Sequence, residues 1–220
     1  MNTEYIYLSH VIDEFTPSYG NRDNFTQEEL SSIIKGGSAN SSKWIFSSNH
    51  LGTHIDVPKH FFDDGQDILS YHAGFWIFRS ARVIDIECSE GKIINQELFE
   101  KQLSDDIDLL MIRTGYEKYR KSDKYWNDNP GLSPDLADYL RNKYKNLRAI
   151  GFDFISLTSW NHRDIGKQAH KCFLDKSSPL LIIEDMSLQS LKGNIQNVTI
   201  LPMRVRNSNG SPVTVIAKVV

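Results

Sequence analysis

At 220 residues, 40% hydrophobic and 24% charged with a formal net charge of −3, the sequence has the makeup of a globular protein with enough length for a substantial core. It has no basic excess that would point to nucleic acid and no block of like charge that would mark a binding tail. The start, Met1 to Leu8, lacks the basic region and long apolar core of a signal peptide, and the longest aliphatic runs, such as 180–183, are far too short to span a bilayer.

In chain order, Glu4 to Ser9 reads as a first strand, and Thr16 to Asn24 is rich in turn formers and reads as an exposed loop. Thr26-Gln27-Glu28-Glu29 has the form of a capping box, which predicts a short helix to about Lys35, ended by Gly36 and Gly37. Lys43 to Ser48 reads as a strand leading into a histidine-rich segment at 50–60, and Phe61 to Asp67 as a turn-rich loop. Phe75 to Phe78 and Ala81 to Ile86 follow as strands, and Asn95 caps a predicted helix through Leu98, Phe99 and Leu103. Asp108 to Arg113 is nearly continuously apolar, as a strand buried on both faces would be. Ser133-Pro134 starts a predicted helix to about Lys145, and Leu147 to Phe154 is another strand. A helix from Asp164 carries His170 and Phe173, and Pro179 to Ile183 forms a buried strand ending at Glu184-Asp185. Val198 to Arg206 and Val213 to Val219 read as a β-hairpin. Strands and helices alternate through the middle with extra β at both ends, which predicts a single α/β domain over residues 1–220 with a mixed β-sheet flanked by helices. Cys88 and Cys172 lack framework spacing and are expected to be buried free thiols in a reducing cytoplasm.

Three of the seven histidines and one aspartate fall within Asn49-His50-Leu51-Gly52-Thr53-His54-Ile55-Asp56-Val57-Pro58-Lys59-His60. Along an extended backbone His50, His54, Asp56 and His60 all point to one face. A helix, turning about 100° per residue, would not gather them, and Gly52, Pro58 and three β-branched residues oppose one. Gly52 falls between the first two histidines, where a missing side chain leaves room for an ion or an approaching backbone. Imidazole and carboxylate projecting together suit Zn²⁺, Mn²⁺ or Fe²⁺. The alternative is a set of separate surface histidines beside a turn. His170 and Glu184 are further ligand types that could complete the site, although helical histidines more often pack and strand-end glutamates more often face water. His10, His72 and His162 read as surface or loop residues.

The segment 50–60 resembles the HxGTHxDxPxH signature of the metal-dependent cyclase family, which includes bacterial kynurenine formamidases and isatin hydrolases. Ile112-Arg113-Thr114-Gly115-Tyr116 is similar to that family's "RTGW" strand end, and Ile150 to Ser156 to its "GiDtpS" segment. Ala169-His170 with Leu181 to Glu184 resembles its "aH…ivEgL" pair, and Leu201 to Arg204 with Gly210 to Val213 its closing segment. The resemblance implies the family's swivelling β/α/β fold, one metal held by His50, His54 and Asp56, and a second held by bridging Asp56 with His170 and Glu184. It implies Zn²⁺ or Mn²⁺, two ions per chain, with His60 as general acid/base and a homodimer or homotetramer. The activity it implies is metal-hydroxide hydrolysis of N-formyl-L-kynurenine to L-kynurenine and formate, with isatin or another small amide or lactam as the alternative substrate. The early loop departs from the family's "PxWPGD" stretch, reading Pro17-Ser18-Tyr19-Gly20-Asn21-Arg22-Asp23, so Tyr19 stands where the substrate-packing aromatic would be. A polar insert, Asp175 to Ser178, separates His170 from Glu184.

Two readings of other classes stand beside this one. His54-x-Asp56 with a distant His170 imitates the facial triad of Fe(II) oxygenases, but Leu180 stands near where an oxoacid-binding cation is expected. A storage or structural metal site is the non-enzyme reading; structural zinc sites are usually closed and rich in cysteine, which this one is not. Tyr116, Tyr119, Tyr125 and Trp126 could line an aromatic pocket or pack a subunit interface.

Overall fold

The computed structural model describes residues 3–99 and 105–220. The strands are β1 (Glu4–Tyr7), β2 (Phe25–Ser31), β3 (Ser41–Phe46), β4 (His54–Asp56), β5 (Ile77–Phe78), β6 (Ala81–Asp85), β7 (Ile93–Ile94) and β8 (Leu109–Arg113). They continue as β9 (Gly131–Leu132), β10 (Ala149–Phe152), β11 (Leu181–Glu184), β12 (Ile195–Pro202) and β13 (Gly210–Val219). The α-helices are α1 (Lys124–Asn127), α2 (Pro134–Lys143) and α3 (Arg163–Phe173).

Nine strands form one mixed sheet in the order β5-β12-β13-β4-β11-β10-β8-β6, with β1 also on β13. From β6 through β8 and β10 to β11 the pairing is parallel, and from β11 through β4, β13 and β12 to β5 it is antiparallel. β12 also comes round to contact β6, so the sheet nearly closes on itself. The parallel strands are buried end to end, Leu109 to Ile112 and Leu181 to Ile183 without any exposure, as their unbroken apolar sequences require. α2 and α3 pack against each other on one side. On α3 the buried positions are Gly166, Ala169, His170 and Phe173, a helical stripe that carries one histidine among apolar neighbours.

Four expectations change. Residues 26–35 are not helix: β2 pairs antiparallel with β3 in a hairpin of its own, Phe25 opposite Phe46 and Gln27 opposite Trp44. A capping box is a local preference worth about 1 kcal/mol, and the aromatic and β-branched partners on β3 override it. Residues 73–76 form a 3₁₀ turn, leaving only Ile77–Phe78 as strand. Asn95 is followed by a single 3₁₀ turn without a side-chain cap, and the predicted continuation to Leu103 lies outside the described residues. Ser133 precedes the helix as expected, but Pro134 rather than a Ser133 hydroxyl bond defines that start. Cys88 and Cys172 are free and half-buried.

Candidate active site

Segment 50–60 gathers its side chains by a different route from a single extended strand. Only His54–Asp56 is strand. Gly52 turns the chain ahead of it at φ +65, and Pro58–His60 forms a 3₁₀ turn behind it. A Cβ at Gly52 would meet the Thr16 and Ile12 side chains at 3.2 and 3.3 Å, so glycine is needed for the left-handed turn, and the space beside it belongs to packed side chains rather than to an ion. On β4 the period of two holds: His54 and Asp56 share a face while Ile55 points into the core.

The register of the sheet brings in the distant residues. Glu184 on β11 lies opposite His54, and Gly210 on β13 lies opposite Asp56. His54 Nε2 is 3.4 Å from Glu184 Oε2 and 3.6 Å from Asp56 Oδ1. From α3, His170 Nε2 reaches 3.5 Å from Glu184 Oε1 and 3.7 Å from Asp56 Oδ2. His50 Nδ1 is 2.7 Å from Asp56 Oδ1, and His60 Nε2 is 4.0 Å from Asp56 Oδ2. Asp56 is therefore the centre of the cluster. Gly210 is a second position where only glycine fits, because a Cβ there would stand 2.5 Å from His50 Cε1.

Supporting hydrogen bonds orient these donors. His54 Nδ1 bonds the Gly52 carbonyl at 2.8 Å and His170 Nδ1 bonds the Gly166 carbonyl at 3.0 Å. Each ring thus donates from Nδ1 and turns its Nε2 atom inward. Glu184 Oε1 accepts from the Leu157 amide at 2.7 Å and the Ser156 hydroxyl at 3.2 Å. No spacing in the sequence marks these supports as such, although Ser156 closes the segment that resembles the family's "GiDtpS" stretch.

The charges follow the burial. Burial by itself would raise the Asp56 carboxyl, but His50, His60 and His54 around it hold it well below the carboxylate range. Burial opposes the charge on Glu184 too, and its bonds with His170 and His54 bring it down to about 2. Burial disfavours a charged His54, yet Glu184 and Asp56 push that ring up to about 9, and His170 is raised for the same reasons. His60 goes the other way: burial, with His50 and His170 nearby, lowers it to about 4 despite Asp56. Among the described residues, the buried Asp56 and Glu184 have imidazoles as their ionisable partners, with neither lysine nor arginine as a counterion. Two buried carboxylates faced by imidazoles whose Nε2 atoms turn inward, and can give up a proton, fit a divalent cation. The donor atoms within 4.8 Å of one another fall into two sets sharing Asp56: His50, Asp56 and His60, and His54, Asp56 and Glu184.

The cluster lies in a cavity of about 230 Å³ whose other walls include Pro17, Tyr19, Phe61, Ile155 and Thr158. All seven residues singled out in the sequence, His50, His54, Asp56, His60, His170, Glu184 and Tyr19, line it. The aromatic cluster does not. Tyr116 and Tyr125 are buried in the core, the Tyr116 hydroxyl on the Asp128 carbonyl and the Tyr125 hydroxyl on Asp185, and Tyr119 packs edge-on against Tyr116. Trp126 lines a different cavity with Arg22, Arg120 and Lys121. Asp185, next to the ligand-type Glu184, is fully buried at φ +53 and takes both Arg120 and Tyr125 on its carboxylate while its carbonyl accepts from Thr53. That network ties β4 to β11 directly behind the donors. His10 sits in a loop but is half-buried, 3.7 Å from Glu117, whereas His72 and His162 are exposed.

Fold and site together define an α/β enzyme whose donors suit a divalent metal. The chain belongs to the cyclase family: the family described as "Putative cyclase" matches residues 6–159. It is 26% identical over 216 residues to the kynurenine formamidase of Bacillus anthracis, covering 98% of both chains, and equally so to that of Bacillus cereus. Isatin hydrolase A from Labrenzia aggregata has the same fold, with a TM-score of 0.81 at 21% identity over 99% of this chain and 94% of that one. A predicted metal-dependent hydrolase from Bacillus stearothermophilus matches with a TM-score of 0.76 at 18% identity over 99% of each chain.

Proposed function

We propose that the protein is a metal-dependent amidohydrolase that cleaves N-formyl-L-kynurenine to L-kynurenine and formate, a step of tryptophan catabolism. The observation that carries this reading is the pair of buried carboxylates, Asp56 and Glu184, whose ionisable partners among the described residues are imidazoles. Whole-length similarity to kynurenine formamidases supports the substrate. His50, His54, Asp56, His170 and Glu184 would hold two Zn²⁺ or Mn²⁺ ions. When bound, such ions supply Lewis acidity and bring a water's pKa from about 15.7 toward 7.

The chain's own residues do the rest. His60 is held only loosely, 4.0 Å from Asp56, and burial keeps its ring a free base at neutral pH. It would take the proton from the attacking water and pass it to the anilide nitrogen as the C–N bond breaks, so that the amine and formate leave balanced. Phe61, stacked on His170 at 4.8 Å, and Tyr19 give the cavity aromatic walls for an aryl group. To test the reading, the metal-loaded protein is assayed on N-formyl-L-kynurenine, isatin and a set of lactams. Faster turnover of isatin would move the assignment to lactam opening, and no turnover of any would leave a non-catalytic metal protein.

We propose further that the chain works as a homo-oligomer in the cytoplasm. Support for assembly is the β2–β3 hairpin, which exposes Leu30, Ile33, Ile34 and Trp44 on a two-stranded sheet too small to be stable alone. Support for a reducing location is the pair of free thiols. Among the described residues, no helix is long and apolar enough to cross a membrane.

A further inference from the structure

Behind the donor cluster lies a second set of polar side chains that the hydrolase reading does not use. Asp185 follows Glu184 directly, is fully buried, and holds φ +53, a left-handed conformation that side chains other than asparagine and aspartate rarely adopt. In the stretch that resembles "ivEgL" it stands where the motif carries glycine, so the turn alone does not call for a carboxylate. That carboxylate is nonetheless fully engaged. Arg120 forks onto it, with Nη2 2.8 Å from Oδ2 and Nε 2.9 Å from Oδ1, and the Tyr125 hydroxyl donates to Oδ1 at 2.5 Å. The Asp185 carbonyl accepts from the hydroxyl of Thr53, the residue before His54. One short segment supplies the partners of Asp185. Arg120 ends the 3₁₀ turn Tyr116–Tyr119, and Tyr125 is on α1. From the same turn Glu117 extends the hold downstream, accepting from the Leu188 and Gln189 amides at 2.8 Å each. The donor cavity is lined by none of Thr53, Arg120, Tyr125 and Asp185, so any effect they have on it passes through the neighbouring donors.

We propose that Arg120, Asp185 and Tyr125 are positioning residues for the divalent ion. The Asp185 carboxylate, locked by a guanidinium and a phenol, fixes the strand end from which Glu184 projects and, through Thr53, the one that carries His54. This rests on the metal-dependent reading above for what the donors hold, and goes beyond it in naming what presets their spacing. A forked arginine–carboxylate pair is fixed in direction as well as in distance. Donors held in advance bind an ion without first having to be ordered, so the lock should be felt in the geometry and affinity of the metal site. Each substitution has a defined physical effect. Asp185→Asn keeps the left-handed turn and the shape but takes the counter-charge from the Arg120 guanidinium. Arg120→Met removes the fork and leaves the Asp185 carboxylate buried without a cation. Tyr125→Phe deletes one hydroxyl and leaves the ion pair standing.

The test follows metal in the full-length protein. After chelation, Co²⁺ is added to saturation, and its visible absorption, which reports the number and arrangement of donors, is compared in the wild type and the three variants. Zn²⁺ affinity is measured by competition with a chromophoric chelator, and thermal unfolding of the metal-free chains reports the fold. The expected result is an altered Co²⁺ spectrum in all three variants. Zn²⁺ affinity should fall roughly 10–100-fold in Asp185→Asn and Arg120→Met and less in Tyr125→Phe. A merely structural role would lower the unfolding temperature and leave the saturated spectrum as in the wild type. That outcome, with or without a change in affinity, overturns the proposal and leaves the hydrolase reading intact. If the two charge variants do not fold, the spectrum of Tyr125→Phe decides. A wild type that binds neither ion removes the metal site and the proposal with it. A wild type that binds metal but cleaves no amide sinks the hydrolase reading alone, and the spectra still decide the positioning role.

Discussion

The two donor sets that share Asp56 differ in how they are held. In the inner set, His54 and Glu184 are buried on neighbouring strands, directly opposite in register, and each is fixed by backbone partners. In the outer set, His50 and His60 are half-buried on turns either side of β4, and their rings lie 4.1 Å apart over Asp56. The inner set is buried between opposing charges; the outer set has access to solvent and, in His60, a ring that burial keeps uncharged. This contrast fits the proposed roles, His54 and Glu184 as metal holders and His60 as the proton carrier.

Breaking the shared residue should give the largest effect. Asp56→Asn removes a donor from both sets at once, and activity should fall roughly 10⁴-fold or more with loss of bound metal, measured by turnover and elemental analysis. His60→Ala sharpens the contrast, with metal content retained and turnover lowered roughly 10²–10⁴-fold; loss of metal in this variant would place His60 with the holding residues. A smaller effect is expected behind the inner set. Ser156→Ala, which removes one support of Glu184, should weaken metal binding roughly 10–100-fold in a competition titration while the fold stays intact.

The inner set also predicts opposite responses to pH. In the metal-free protein His54 is raised from an unfolded value near 6.5 to about 9. Its contribution to stability is therefore fully present below about 6.5 and is lost as pH rises through about 9. Metal must displace that proton, so metal affinity should rise over the same interval, with proton release visible by calorimetry in buffers of different ionisation enthalpy. Parallel rather than opposite trends would show that His54 is not a ligand. Smallest of all is the effect expected in the hairpin: Ile34→Ser with Trp44→Ser should shift sedimentation toward the monomer without changing the donor cluster.

The same contrast explains what the sequence reveals. Residue types in 50–60 were legible because they are packed into eleven positions, yet the geometry inferred from them was only locally right: parity applies to His54 and Asp56, while Gly52 and Pro58 bend the segment on both sides. His170 and Glu184 are only weak candidates until the family resemblance supports them, since register between strands 130 residues apart, as between His54 and Glu184, leaves no local trace. The buried strands at 109–113 and 181–184 were plain from unbroken apolar runs. The hairpin at 25–46 was not, because its charged, helix-favouring residues take their structure from a partner strand and hardly at all from the core. Arg120, Tyr125 and Asp185 were invisible as a unit for a similar reason: each reads as a surface or aromatic residue until the fold buries them together.

The place of β13 in the sheet has a consequence for biosynthesis. It follows every other strand in the chain, yet it sits between β12 and β4, and its first residue, Gly210, is the one that lies against His50. Until that strand is made, β4 lacks one of its two neighbours, and Asp56 and His50 lack the backbone that packs against them.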